Sequence, residues 1–190
     1  VKGVLLSEDY FMRMINQALA VLMTALGFKR AGQISQALQA FDQAIEGLLG
    51  INAYLAKQLD DEALLKMLTF QDELDIERLL VLAEIYREEA EVYAWQGQVE
   101  RSQVMAQSSL RFYLEAALAD EGNPDIELVH KIEALRLKLE IHTLPVEIRL
   151  ALMDHLERLL AAGDDFLEAA RLSRSELRGA FALLDSLGMD

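Results

Sequence analysis

The sequence predicts an all-α fold of about eight helices paired as antiparallel hairpins. Three observations lead there. Apolar residues recur at three- and four-residue spacing over long stretches, and no apolar/polar alternation persists long enough for a strand. The chain has 190 residues but only two prolines and ten glycines, so breakers are few. Gly32, Gly97 and Gly163 each follow a long helical stretch and are separated by about 65 residues, which predicts three related hairpins with extra helices between them. Hydrophobic residues make up 53% of the chain, enough to fill the core of one domain over 1–190. Its parts are a first hairpin (1–50), an irregular helical insertion (51–72), a second hairpin (73–120) and C-terminal helices (124–187).

The first helix is expected from Ser7 to Phe28, with Ser7 as cap and Glu8 and Asp9 in the first turn against the macrodipole. From Ala18 to Phe28 it is apolar nearly all round, so it needs cover on several sides, from later helices or from a second copy. Homodimerisation through this helix is the association it suggests. Met12, Met14 and Met23 read mainly as core. The second helix runs from about Gln33 to Leu49, with Ile34, Ala37, Leu38, Phe41, Ala44, Ile45 and Leu48 on one face. In the insertion, 51–59 and 61–68 each predict a short helix, the second capped by Asp60 or Asp61. Helices follow over about 73–96 and 99–119, the former with Ile76, Leu79, Leu80, Ala83, Tyr86, Ala90, Tyr93 and Ala94 inside. Asn123 is a good cap before Pro124, starting a helix to about Ile141. The last two helices are expected over about 145–162 and 165–187.

Around Gly32 the residues Ala25, Phe28, Gly32, Ala37, Phe41 and Ala44 fall in the order small, aromatic, glycine, small, aromatic, small. Small residues let two helices approach closely while the rings fill the gap between them. This pattern resembles the tetratricopeptide (TPR) hairpin over about residues 18–50. In the next unit Tyr86, Ala90, Tyr93 and Gly97 fit; Ser102, Ala106 and Ser109 keep the small positions but lose an aromatic; the third unit keeps Gly163 and little else. The whole chain is also similar to an uncharacterised bacterial family of TPR-like proteins, through Asp9-Tyr10-Phe11-Met12-Arg13-Met14-Ile15, the Gly32 hairpin and Glu84-Ile85-Tyr86. The resemblance implies a right-handed helical stack that works through protein contacts, and no chemistry.

With 18 basic against 32 acidic residues the formal charge is -14, which disfavours nucleic acid and anionic membrane as partners. The longest apolar run, Ala18–Met23, falls short of the ~20 residues a span needs. Val1–Ser7 is too short for a signal peptide, and cysteine is absent, which fits a cytoplasmic protein. TPR domains that grip a C-terminal carboxylate use Lys and Asn on inner helix faces; Leu19, Leu22 and Leu26 stand there in the first unit and Glu84, Arg87 and Glu91 in the second, against such a clamp. The cluster Glu84, Arg87, Glu88 and Glu91, with Trp95 beside it, leaves two readings: a solvated face with internal pairs, which is the simpler, and a surface for a protein or peptide partner of basic character.

Catalytic chemistry finds no footing. No serine sits in a Gly-x-Ser-x-Gly context, no phosphate-binding loop follows a strand, and no cofactor is implied. Glu127 and His130 have the Glu-x-x-His spacing of di-iron bundles, but such sites need two motifs and two further carboxylates. A metal protein or enzyme built on Glu127 and His130 is therefore the alternative reading, and a small-molecule sensor with an apolar pocket near Trp95 is another.

Overall fold

A computed structural model describes residues 2–120, 122 and 124–187, with the backbone alone for residues 2–9. The described chain is all-α, about 80% helical, apart from one two-stranded hairpin. It forms two compact units, 1–109 and 110–190.

In the first unit, α1 (Lys2–Arg30) starts earlier than expected, so Ser7 lies inside the helix, and the side chains of Ser7, Glu8 and Asp9 fall outside the described residues. Its buried stripe is Ile15, Ala18, Leu22, Ala25 and Lys29, one face at helical spacing. Met12, Leu19 and Met23 are exposed, Met23 by 63%. Met12 and Met23 therefore do not sit in the core as the sequence suggests, and Met14 is half-buried. Within Tyr10–Arg30 an 18-residue window has a mean hydropathy of 1.3, so this helix is long and apolar enough to cross a membrane by length and composition alone. Counting only the unbroken run Ala18–Met23 misses this, because a mean over a longer window averages across the interruptions at Asn16, Gln17 and Thr24.

The chain reverses at Gly32. The Gln33 amide donates to the Phe28 carbonyl (2.9 Å) and the Gly32 amide to the Lys29 carbonyl (3.1 Å). This pair of bonds is the Schellman cap, and Gly32 supplies its left-handed residue at φ 72°. Helix α2 (Ile34–Leu49) then packs along α1, burying Ala37, Ala40, Phe41, Ala44, Ile45 and Leu48. Phe28 is half-buried and Phe41 fully buried.

The same cap recurs 65 positions on. The Gln98 amide donates to the Tyr93 carbonyl (2.9 Å) and the Gly97 amide to the Ala94 carbonyl (3.0 Å), with Gly97 again at φ 72°. It joins α5 (Ile76–Trp95) to α6 (Val99–Ala119). Ser102 and Ser109 donate their hydroxyls to the carbonyls of Ala90 and Ala83, each at 2.8 Å. Seven residues forward on α6 match seven backward on α5, so the two helices run antiparallel. In the first hairpin the corresponding positions are Ala37 and Ala44 against Ala25 and Ala18, all buried.

Helix α5 carries the burial that the sequence seemed to assign to α1. Of the expected stripe it buries Leu79, Ala83, Tyr86 and Ala90, while Ile76, Leu80 and Tyr93 are half-buried and Ala94 is exposed; it also buries Val81, Leu82, Ile85, Glu88, Glu89 and Val92, and it packs against both α1 and α2. Asp75 caps it by accepting the Arg78 amide (3.1 Å), so it begins at Ile76, not Glu73.

The 51–72 insertion holds the two expected short helices and leads into a strand hairpin. Helix α3 (Ala53–Ala56) is capped by Asn52, and α4 (Asp61–Met67) by Asp60. A hairpin of β1 (Thr69–Phe70) and β2 (Glu73–Leu74) then forms, against the expectation of no strand. Gln71 and Asp72 turn it with φ of 53° and 63°, a two-residue loop whose twist matches the strands. Neither is glycine, so composition gave no sign of it.

In the second unit, α7 (Ile126–Lys138) is capped by Asp125, and Asn123 lies outside the described residues. A 3-10 turn (Ile141–Thr143) leads to α8 (Val146–Ala161). The expected last helix is two: α9 (Asp164–Ala169) and α10 (Arg174–Ser186). Arg171 adopts φ 56° between them, and the Leu172 amide reaches back to the Leu167 carbonyl (2.8 Å). This cap uses a non-glycine residue, which is why the break was invisible. Gly163 has φ 92° and ψ 166° at the start of α9, so it is no third copy of the Gly32 cap. Eight expected helices thus become ten among the described residues.

Both Gly32 and Gly27 have open space where a Cβ would sit. Gly32→Ala should cost about 1–2 kcal/mol from its left-handed backbone, whereas Gly27→Ala, within the helix, should gain about 0.5–1 kcal/mol. Thermal melts of the two variants check the contrast; equal shifts would count against the cap.

Candidate functional site

Two charged clusters flank α5. Toward α1, Lys29 at the end of that helix is buried and donates to Glu88 and to Glu91 (2.7 Å). Arg87 pairs with Glu84 (2.5 Å), with Glu88, and more loosely with Glu91 (3.8 Å). The sequence-predicted residues Glu84, Arg87, Glu88 and Glu91 are thus brought together. Their three carboxylates meet two cations, and Glu88 is buried instead of solvated. Lys29 was missed because it is 59 positions from Glu88. The last turn of α1 does favour a cation there. Trp95 is 61% exposed, with the Lys29 ammonium 5.0 Å from its ring centroid. It shields one side of that ammonium.

Toward α2 and α3, Lys57 at the C-cap of α3 donates to Asp42 on α2 (2.5 Å) and to Glu89 on α5 (2.7 Å). Glu46 holds α3 in place, accepting from the Asn52 side chain (2.8 Å) and the Ala53 amide (3.1 Å). Glu89 is fully buried, and its second carboxylate oxygen has no hydrogen-bond partner among the described residues. Burial pushes its pKa up to about 7, although Lys57 pulls the other way. Burial alone would lower Lys57, but Glu89 and Asp42 outweigh it and hold the ammonium above its ordinary value. Burial, and then the Glu89 charge, also raise the Tyr86 and Tyr93 phenols.

Outside this ion triad lies an open groove of about 460 Å³, within the range of ligand sites. Its walls are Tyr54, Tyr93, Val104 and Met105, and its polar lining is Asp42, Lys57, Gln58, Glu100 and Arg101. The Arg101 guanidinium lies over the Tyr93 ring at 5.7 Å and donates to Gln98 (3.1 Å). Tyr54 is 72% exposed. Trp95 does not line this groove. Nothing in the sequence singled out Tyr54, Asp42 or Glu100, because they converge from three separate elements.

The remaining candidates lie apart. Glu127 pairs with Lys131 (3.1 Å), and the His130 ring nitrogen Nε2 is 2.8 Å from the Ala170 carbonyl. Among the described residues no three His, Asp or Glu side chains are grouped to hold a metal ion. His142 is exposed beside Glu140, whereas His155 is buried, its pKa lowered to about 4 by burial and then by Arg158 and Arg136.

Glu89 sets a pH dependence. Its folded pKa of about 7 lies above its ordinary 4.5, so the folded state holds the extra proton between those values. That contribution is complete below the unfolded pKa and is lost as pH rises through 7, with a slope of at most about 1.4 kcal/mol per pH unit. Denaturation from pH 4 to 8 should show it, and Glu89→Gln should flatten the slope.

No known family, curated protein or solved structure is significantly similar to this chain, so its own residues carry the functional reading.

Proposed function

We propose that the chain is a non-catalytic scaffold of TPR-like hairpins in a right-handed stack, which docks a protein or peptide partner at the groove beside α3. The observation that carries this reading is the pair of hairpins with identical caps at Gly32 and Gly97, set against a groove lined by exposed Tyr54 and Val104. Two like hairpins packed side by side make a rigid support, which is what a recognition surface needs. The groove, not the Glu84–Glu91 cluster, is the better docking place, because Glu84, Glu88 and Glu91 are each already ion-paired, whereas the groove offers exposed Tyr54, Val104 and Glu100. A cytoplasmic setting is consistent with the cysteine-free composition.

A photo-crosslinking residue at Tyr54 or Val104, compared in the native cell with one at exposed Arg178, tests the docking. Discrete adducts from the groove positions alone are expected. Adducts indistinguishable from the control would overturn it.

The outer face of α1 supports a second contact. Met12, Leu19 and Met23 are exposed on a helix with no charge between Arg13 and Lys29, and a second copy of this chain would cover them. Sedimentation at high micromolar concentration should show a dimer that Leu19→Glu with Met23→Glu converts to monomer. A monomeric parent protein would remove this contact.

A further inference from the structure

We infer that the groove beside α3 takes a basic side chain, the guanidinium or ammonium of an arginine or lysine in a polypeptide partner; this rests on the docking role proposed above and assigns its chemistry. Two internal cations already occupy matching places there. Arg101 lies over the Tyr93 ring, and Lys57 sits between Asp42 and Glu89. They leave a ring and carboxylate oxygens of the same kind unused. The Tyr54 ring is exposed and has no aromatic or cationic partner among the described residues. Asp42 spends one oxygen on Lys57, and its side chain remains 47% exposed. Glu100 is exposed and unpaired among the described residues. Between ring and carboxylates, Val104 and Met105 offer apolar surface for a methylene stem.

Charge decides the sign of the ligand. The lining holds Asp42 and Glu100 against Lys57 and Arg101 inside a chain of formal charge -14, so a cation enters a globally negative field, to which Glu89 behind the groove adds as it ionises above about pH 7. An acidic ligand would find Arg101 and a Lys57 ammonium already held by Asp42 and Glu89, and would meet the repulsion of a chain of formal charge -14. A ring face plus charge-assisted hydrogen bonds is the combination that recognises a guanidinium or ammonium on a flexible stem.

Fluorescently labelled 12-residue peptides of one neutral sequence test this, with arginine, lysine, citrulline or glutamate at the centre. Polarisation titrations should show the arginine and lysine peptides binding about tenfold or more tightly than the citrulline peptide, the worth of one charged hydrogen-bond set. Tyr54→Ala and Glu100→Gln should each weaken the arginine peptide severalfold; both positions are exposed, and unchanged circular dichroism would confirm folding. Equal binding of the arginine and citrulline peptides, or tighter binding of the glutamate peptide, would overturn the cation assignment while a Tyr54-dependent signal kept the groove as a docking site. No binding by any peptide would overturn both.

Discussion

Helix α5 can bury more than half of its circumference, Glu88 and Glu89 included, only because lysines from two other segments reach those glutamates. Lys29 arrives from the end of α1 and Lys57 from the end of α3, one on each flank. A carboxylate taken out of water without a partner is costly, and removing one member of a buried pair is costlier than never having built it. The first unit therefore depends on the exact lengths of α1 and α3. A shorter α1 would withdraw Lys29, and a displaced insertion would withdraw Lys57. The insertion is thus part of the electrostatic frame of the hairpins, and it also supplies Tyr54 to the groove.

The hairpins were legible because their signal is local. A glycine in the left-handed region, with small residues at fixed distances on either side, can be read without knowing the fold, and both Gly32 and Gly97 serve as read. Where the same geometry is built without glycine, it left no trace. Arg171 and the pair Gln71–Asp72 take positive φ with side chains that composition does not flag. Gly163 misled in the opposite sense, since its position matched the period but its ψ of 166° belongs to another conformation. Helix α1 shows a third limit: its apolar girth was real, yet only one stripe of it is covered, and hydropathy does not say which helix the others will choose to surround.

The candidate site was legible only in half. The cluster on α5 lies within eight residues of one helix, so spacing alone brought Glu84, Arg87, Glu88 and Glu91 together. The lysine that neutralises it comes from 59 positions away, and the groove gathers its lining from α2, α3, α5 and α6. Such convergence is a property of packing. It moved the place where a cation can still be accommodated from one flank of α5 to the other.

The two hairpins hold their registry by different means. In the first, alanine meets alanine, and only shape opposes a slip of one helix along the other. In the second, two serine hydroxyls are tied to specific carbonyls, Ser109 in a fully buried setting. A slip there would strand a hydroxyl in a dry interface as well as misfit the side chains. The α5–α6 pair is thereby the fixed reference of its unit, and the α1–α2 pair is the one whose alignment can be retuned by changing the size of a side chain.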